Sequence, residues 1–129
     1  MIEQTELVVT KWDYHPPPNL AEGANIQSFS SLDVMRKRAS TKKGIACRFS
    51  ARFVFENKTI LDYVAEDSYV IDFEDVIDKN ELLRMLRNSF SKFKEKFDLR
   101  KLFTVLHNSS IRELDESKMN LDAILPLLV

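Results

Sequence analysis

Strict alternation of apolar and polar side chains over residues 45–56 constrains the fold of this chain more than any other feature. Successive side chains of a β-strand point to opposite faces, so this run predicts a strand with one apolar and one mostly polar face. The apolar face is made by Ile45, Cys47, Phe49, Ala51, Phe53 and Phe55. Because a sheet with one wet face must bury the other, the sequence predicts a sheet covered by helices or by a second sheet.

A second strand is predicted over residues 59–73, and the polar break at residues 56–58 predicts a hairpin between the two strands. Asn57 in this break tolerates the positive φ that a tight turn requires. The polar stretch 66–68 interrupts the apolar pattern of the second strand, which predicts a bulge or a bend there. The two runs together therefore predict one long hairpin with a bent second strand.

The N-terminal third of the chain predicts two further strands and a basic segment. Residues 7–14 predict a strand with Leu7 and Val9 on one face and Trp12 on the other, before a run of three prolines. Residues 26–34 predict an irregular or edge strand. Residues 36–43 are predicted to form a basic loop, which is either a mobile solvated loop or a docking site for an acidic partner. Its cations are Arg36, Lys37, Arg38, Lys42 and Lys43.

A long amphipathic helix is predicted after Asp78, since Glu81 three residues later completes the arrangement of a capping box. Apolar residues then recur at spacings of three and four and form a stripe wide enough to lie across a sheet. The stripe consists of Leu82, Leu83, Leu86, Phe90, Phe93 and Phe97. The apolar pattern continues to Leu106 after a break near Asp98. Residues 111–118 predict a connection, and the apolar segment 119–129 is expected to dock on the helix, the sheet or a neighbouring subunit.

Composition and charge restrict the partners and the location. The length of 129 residues predicts a single domain over residues 1–129. A formal net charge of −1 gives no net electrostatic drive toward nucleic acid or an anionic membrane. No apolar run approaches the length of a membrane span, and residues 1–6 lack the features of a signal peptide, which predicts a cytoplasmic location.

The residues that carry most chemistry are scarce and scattered. The single cysteine, Cys47, lies on the apolar face of its predicted strand and is expected to be a small buried hydrophobe. His15 and His107 are the only histidines, and with one cysteine they do not make a zinc site of normal ligand count. With no catalytic motif and only two glycines, the sequence predicts neither an enzyme nor a cofactor or metal site.

Three stretches of the chain resemble the SecB family of bacterial protein-export chaperones. They are the hairpin over residues 45–64, its continuation over residues 69–73, and residues 120–125, which are similar to that family's closing Asn-Phe-Asp-Ala-Leu-Phe segment. The resemblance implies an α+β subunit with a four-stranded antiparallel sheet. One long helix and a short C-terminal segment would pack on one face of this sheet, and the subunits would form homodimers or homotetramers.

Two departures from the family's pattern bear on function. Residues 86–93 stand where the family's helix carries a Pro-Asn-Ile-Leu-Phe-Pro-type segment. The family's outward sheet face is acidic and docks the export motor ATPase, whereas here Arg48 and Arg52 mix with Asp62 and Glu66. These departures argue against motor docking and favour a divergent relative that serves a toxin–antitoxin system or one private client.

The leading hypothesis is therefore a module that holds unfolded or extended polypeptide in apolar grooves without nucleotide or metal. The alternative is a non-catalytic interaction or structural protein of the same fold that binds one dedicated partner. Phe49, Phe53 and Leu86 are expected to form the core between sheet and helix. The client surface is expected to use apolar residues left over from that core, although the same residues could instead complete the core or a subunit interface. They are Trp12, Tyr63, Phe97, Phe103, Leu125 and Leu128.

Overall fold

The computed structural model describes the chain except for residues 1, 5, 19, 21–23, 40–41 and 129. The side chains of residues 37–39, 118, 127 and 128 also lie outside this description. The strands of the protein are β1 (Ile2–Gln4), β2 (Val8–Tyr14), β3 (Gln27–Ala39), β4 (Lys42–Phe55) and β5 (Lys58–Asp72). Its α-helices are α1 (Lys79–Arg100) and α2 (Leu121–Ile124), and single 3₁₀ turns cover Lys101–Phe103, Glu116–Lys118 and Leu125–Leu128.

All described strands join one antiparallel sheet. β4 and β5 form its centre, and β3 pairs with β4 to make one edge. β1 and β2 lie one after the other along the far side of β5, opposite its C-terminal and N-terminal parts. The sheet therefore has five strands where four were predicted, because the chain before β2 adds a short strand of its own. Along most of β5 the sheet is four strands wide, because β1 and β2 pair with different parts of this strand.

The predicted hairpin between β4 and β5 is confirmed. Glu56 and Asn57 form its two-residue turn, and Phe55 pairs with Lys58 on either side. Both turn residues have positive φ, 50° at Glu56 and 64° at Asn57. This is the backbone of a type I′ turn, whose twist matches that of the strands it joins.

The structure lacks the bulge that was one of two alternatives for residues 66–68, and it corrects the predicted face of Trp12. Residues 66–68 of β5 pair with β4 without a bulge, and the register shift lies instead between Phe53 and Val54. A second shift lies between Val9 and Lys11 of β2. Because one extra residue reverses the faces of all later side chains, Trp12 lies on the inner face with Leu7 rather than on the opposite face.

The basic segment is not the loop that its composition predicted. Residues 36–39 belong to β3 and residues 42–43 begin β4, while residues 40 and 41 lie outside the description. Lys43 is buried, and its Nζ donates to the carbonyl oxygens of Phe73 at 3.4 Å and Asp75 at 2.7 Å. At least this cation therefore stabilises the chain between β5 and α1.

Aromatic stacking joins α1 to the inner face of the sheet. Phe93 stacks on Phe49 and Tyr63 with ring centroids 5.5 and 4.3 Å apart, and Phe97 stacks on Phe53 at 5.0 Å. The prediction that Phe49, Phe53 and Leu86 are buried in the core is confirmed.

Both predicted boundaries of α1 have a structural counterpart. Asp78 is the N-cap, and its carboxylate accepts a hydrogen bond from the Glu81 amide at 2.8 Å. The helix ends at Arg100, close to the predicted break at Asp98, and a 3₁₀ turn follows. Within the described residues, no helix is both long and apolar enough to cross a membrane.

The C-terminal chain returns along α1 and the β3 side of the sheet. Ile111 is buried in the core, and Leu121, Ile124 and Leu125 pack partly buried against it. The Nζ of Lys79 at the start of α1 forms an ion pair with Asp122 at 2.5 Å. The apolar C-terminal segment thus docks on its own helix and sheet, which is one of the arrangements predicted for it.

Candidate functional site

A groove with a volume of about 610 Å³ lies between β3 and the C-terminal chain. Its first wall is the stretch 28–34 of β3, and its second wall is formed by residues 112–115 together with residues from 119 to 124. The groove exists because the aromatic residues of α1 stack over β4 and β5. The inner side of β3 is left to the thinner C-terminal chain.

Both walls of the groove contribute apolar side chains, which lie among polar and charged ones. Leu32 and Val34 of β3 pair with inward-facing residues of β4, so their side chains lie on the inner face of the sheet. Leu114, Met119 and Ile124 line the second wall. All five side chains are only partly buried against the core, and each therefore keeps apolar surface that an occupant could cover.

The outer edge of β3 runs beside this groove with its main chain open. β3 keeps one register with β4 from Gln27 to Ala39, and no other strand in the described part of the chain pairs with it. Every second residue of such an edge directs its amide and carbonyl groups away from the sheet. The stretch 28–34 alone offers a template roughly 23 Å long at about 3.3 Å per residue.

Side-chain hydrogen bonds hold the second wall in place. The guanidinium of Arg87 on α1 donates two hydrogen bonds to the Glu116 carboxylate, at 2.5 and 2.7 Å. Lys94, about two helical turns further on, pairs with Glu113. The bonds from Arg87 lower the pKa of Glu116, and the same contact raises the pKa of Arg87. Two ion pairs thus link α1 to the C-terminal chain that forms the second wall.

One buried hydroxyl at the groove lacks a partner. The Oγ of Ser28 is shielded from solvent, and no described residue accepts or donates a hydrogen bond to it. The neighbouring inward serine, Ser30, instead donates to the carbonyl oxygen of Arg112 at 3.4 Å. An unpaired buried hydroxyl is unfavourable, so this end of the groove has unused hydrogen-bonding capacity.

Three of the six residues predicted for the client surface come together, but inside the protein. Trp12 lies 5.3 Å from Tyr63 and 6.3 Å from Phe97 between ring centroids. Tyr63 and Phe97 are 0% exposed, and the Tyr63 hydroxyl donates to the Phe93 carbonyl at 2.9 Å. Burial raises the pKa of Tyr63 well above its ordinary value. In this structure these rings complete the core beneath the end of α1.

The other three predicted residues lie apart from that cluster. Phe103 is 91% exposed in the turn after α1 and is not among the residues that line the groove. Leu125 is partly buried and directly follows Ile124, the last residue of the second wall. Leu128 ends the final 3₁₀ turn, and its side chain lies outside the description.

Sequence reasoning missed the residues that line the groove. Leu32 and Val34 share one strand parity, and Leu114 is the one apolar residue between Ile111 and Met119. These signals were present but short. Nothing local to them indicates that the stretch 112–119 packs beside β3.

A buried polar cluster lies near β1, toward the edge of the sheet that is opposite β3. Asp67 is 1% exposed and accepts hydrogen bonds from Gln4 Nε2 at 2.5 Å and Ser89 Oγ at 2.8 Å. Cys47 pairs with Asp67 across the strands, and burial, followed by the nearby Asp67 charge, raises the pKa of the thiol to about 12. Its thiol therefore stays protonated at neutral pH. No group of three or more possible metal ligands occurs among the described side chains.

Comparisons with known proteins agree with this architecture. No protein-family model and no curated protein sequence matches the chain. A SecB-like chaperone of Mycobacterium tuberculosis, solved in complex with a ChAD peptide from the HigA1 antitoxin, has a similar structure with a TM-score of 0.54. It is 14% identical, and the match covers 88% of this chain and 91% of that chain.

A protein of unknown function from Streptococcus agalactiae is 11% identical over 89% of this chain and 97% of its own. Its TM-score is 0.47. The mycobacterial structure shows that this chain has a SecB-like fold, in which an antiparallel sheet carries one long and one short helix. The fold predicted from the sequence is thereby confirmed, with five strands rather than four.

Proposed function

We propose that this chain is a polypeptide-binding module that holds an extended segment along β3 with side chains inserted into the adjoining groove. The observation that carries the proposal is the regular edge of β3, to which no other described strand pairs, beside a groove with half-exposed apolar side chains on both walls. A segment that adds to a sheet edge satisfies its own amide and carbonyl groups there without regard to its sequence. Such a site requires neither nucleotide nor metal.

The groove supplies the affinity that main-chain pairing alone does not. Side chains of an added strand alternate between the two faces, so every second client residue points toward Leu32, Val34 and the second wall. Each apolar client side chain that becomes fully buried contributes about 1.5–3 kcal/mol before the costs of ordering. Two or three such residues within a segment of seven contribute about 3–9 kcal/mol before those costs, and main-chain pairing along β3 adds to this.

The structural neighbour supports this role. A chaperone with the same fold binds a peptide of an antitoxin. The proposal extends that kind of ligand, a polypeptide segment, to the present chain. Of the residues predicted from the sequence, Leu125 stays in the proposed surface as a contact at the end of the groove, and the buried Tyr63 and Phe97 do not.

The charges on the outer face of the sheet support a role that does not involve docking to an export motor. Asp62 pairs with Lys11 at 2.9 Å and with Arg52 at 3.7 Å, and Arg48 pairs with Glu66 at 2.8 Å. These charges neutralise one another, so this part of the face has no acidic excess for a basic partner. We further propose that the chain acts in the cytoplasm as one domain, in a dimer or tetramer.

The direct test measures suppression of aggregation and binding of unfolded polypeptide, in the wild type and in a variant whose groove is filled by a large side chain. Wild-type protein should suppress aggregation of a chemically denatured client and should bind a fluorescently labelled, permanently unfolded polypeptide. Ala123 lines the groove and is exposed, so Ala123→Trp should fill the groove without disturbing the core. We expect this variant to bind at least about tenfold more weakly, a change of about 1.4 kcal/mol.

Lys58→Trp is the matched control, since it adds the same ring at an exposed position of the hairpin. It should bind as the wild type does. A folded wild type that leaves aggregation unchanged and binds no unfolded polypeptide would overturn the proposal. If Ala123→Trp and the wild type bind unfolded polypeptide with equal affinity, the groove is not part of the binding site.

A single dedicated partner is the second candidate function. It is favoured by the neighbour's ligand, which is a peptide of one defined antitoxin. Native pull-downs with wild type and Ala123→Trp separate the two functions. If the wild type recovers many unfolded proteins and Ala123→Trp recovers none of them, the groove is a general client site. If the wild type recovers one stoichiometric protein that Ala123→Trp does not, the groove binds a dedicated partner.

A further inference from the structure

Large apolar side chains are exposed where α1 ends. Leu99 is 65% exposed, Leu102 is 62% exposed and Phe103 is almost fully exposed. The 3₁₀ turn continues the path of α1, because the Lys101 amide still donates to the Phe97 carbonyl oxygen. Residues three and four positions apart are neighbours on a helical surface, so the three exposed side chains form one apolar patch. Such a patch, when polar residues surround it, is typical of an interaction site.

Unpaired cations adjoin this patch. Lys96 precedes Leu99 by three residues and Arg100 by four, so all three lie on one face of α1. Neither Lys96 nor Arg100 has a carboxylate partner among the described residues, and the Arg100 guanidinium lies over the Trp12 ring at 5.4 Å. Lys92, one turn before Lys96, also lacks such a partner within the described chain. We call Lys96, Leu99, Arg100, Leu102 and Phe103 the basic end surface.

The local balance of charge around this surface is positive. Glu95 is exposed and has no cation partner in the described part of the chain. Asp98 already pairs with Lys101 at 3.1 Å, and Lys94 pairs with Glu113. The unpaired cations therefore outnumber the one unpaired carboxylate beside them. The formal net charge of −1 for the whole chain does not reveal this local excess.

The combination of chemistries favours an anionic lipid surface as the partner. The interface of a bilayer takes up protruding aromatic and aliphatic side chains, while anionic headgroups attract the lysine and arginine residues beside them. A nucleic acid would meet the cations but would leave Leu99 and Leu102 uncovered. A bound polypeptide segment is held in a groove, and no residue of the basic end surface lines the groove beside β3 or the hollow of the outer sheet face.

We propose that the basic end surface binds peripherally to membranes that contain anionic phospholipid. The apolar side chains of Leu99, Leu102 and Phe103 enter the boundary between headgroups and acyl chains. The unpaired cations contact lipid phosphates, and each strengthens the binding roughly fivefold. This contact does not rest on the polypeptide-binding function, because the groove beside β3 shares no residue with the basic end surface.

Cosedimentation of the full-length protein with lipid vesicles tests this proposal. The wild type should bind vesicles of phosphatidylglycerol and phosphatidylcholine in equal parts, and added salt should weaken the binding. Vesicles of phosphatidylcholine alone should bind it at least about tenfold more weakly, because they lack anionic headgroups. Phe103→Ser should lower the partition coefficient on the mixed vesicles at least about tenfold by removing an inserted side chain. Lys96→Glu should lower it by at least about the same factor by reversing a charge.

Matched controls separate this contact from folding and from client binding. Phe73→Ser makes the same exchange at an exposed phenylalanine before the start of α1, and Lys58→Glu reverses an exposed charge on the hairpin. Both control variants should bind the mixed vesicles as the wild type does. All four variants should keep the wild-type circular dichroism and the wild-type affinity for unfolded polypeptide, so vesicle binding and client binding are measured apart.

Three outcomes would overturn the proposal. The first is a folded wild type that does not sediment with the mixed vesicles. The second is equal binding to the mixed vesicles and to phosphatidylcholine alone, or equal losses in Phe103→Ser and Phe73→Ser. The third is unchanged vesicle binding by Phe103→Ser and Lys96→Glu together with a loss of affinity for unfolded polypeptide or of oligomer mass. That result would assign the surface to a client or to a second copy.

Discussion

On one edge of the sheet, β3 runs for 13 residues in a single register, whereas the opposite edge is divided between strands of three and seven residues. The divided edge also carries the register shift between Val9 and Lys11. Short edge strands, bulges and lysine side chains are common means by which proteins prevent another chain from pairing with a sheet. Residues 27–35 of β3 show none of these features.

Side chains also secure the divided edge to the helical layer. Gln4 of β1 bonds to the buried Asp67 and accepts from the Asn88 amide at 3.3 Å. The Tyr14 hydroxyl at the end of β2 accepts from the Val105 amide at 2.8 Å. β3 is covered instead by the C-terminal chain, which leaves a groove between itself and the strand. The difference indicates that one edge is closed by the fold and the other is left accessible.

The largest expected loss of stability comes from the core, which supports both edges of the sheet. Phe53 is buried in β4 and stacks on Phe97, so Phe53→Ala should cost about 3–5 kcal/mol of unfolding free energy. Val54→Ala, at the adjacent half-buried position, is the matched control and should cost far less. A urea melt measures both. A loss at Phe53 of less than about 1 kcal/mol would show that this face is not the core.

Proline substitution separates the two sides of the β3 main chain. Successive residues of an antiparallel strand direct their amides alternately to the two sides, so one of Ser30 and Ser31 bonds to β4 and the other points off the edge. Proline at the first should cost about 1–3 kcal/mol of stability. Proline at the second should leave stability nearly unchanged but weaken binding of unfolded polypeptide. If the two variants behave alike in both assays, β3 is not the binding edge.

Local signals explain which parts of this fold the sequence could predict. The β4–β5 turn and the start of α1 were predicted because Asn57 and Asp78 act on their immediate neighbours. The inward face of β4 was predicted because its alternation is unbroken over six residues of one parity. Trp12 was assigned to the wrong face because nothing in the residues near Thr10 marks the register shift there.

Contacts between distant segments explain the rest. Asp67 interrupts an apolar face, and the sequence predicted a bulge or a bend. No bulge occurs there in the pairing with β4, and Gln4 and Ser89 donate hydrogen bonds to the buried carboxylate. The groove was missed for the same reason. Its second wall forms only when Leu114 and Met119 pack beside β3, some 80 residues away in sequence.

The closed edge should weaken when its anchoring hydrogen bonds are removed. Gln4→Ala deprives Asp67 of a donor and should cost about 1–2 kcal/mol, because it leaves buried hydrogen-bonding capacity unmet. Glu3→Ala on the same strand is exposed and should change stability little. Amide exchange in β1 should accelerate in the first variant only. Equal behaviour of the two variants would mean that Gln4 does not secure this edge.

The rim of the β3 groove should respond to acid. The folded pKa of Glu116 lies below its unfolded value, because Arg87 donates hydrogen bonds to the carboxylate. The contribution of this pair is therefore fully present above the unfolded pKa and is lost as the pH falls through the folded pKa. The protection of the amides in residues 112–118, measured relative to their intrinsic exchange rates at each pH, should fall over that acidic range. Glu116→Gln should abolish the dependence, and its persistence in this variant would assign it to another group.

The central claim is that an extended polypeptide pairs with β3 and not with the opposite edge. Hydrogen exchange measured by mass spectrometry, with and without a saturating, permanently unfolded polypeptide, tests this most directly. We predict increased protection in residues 27–35 and in the second wall at residues 112–124, with β2 unchanged. Protection confined to β2 or to the end of α1, or none at any segment under conditions where binding is complete, would contradict the account.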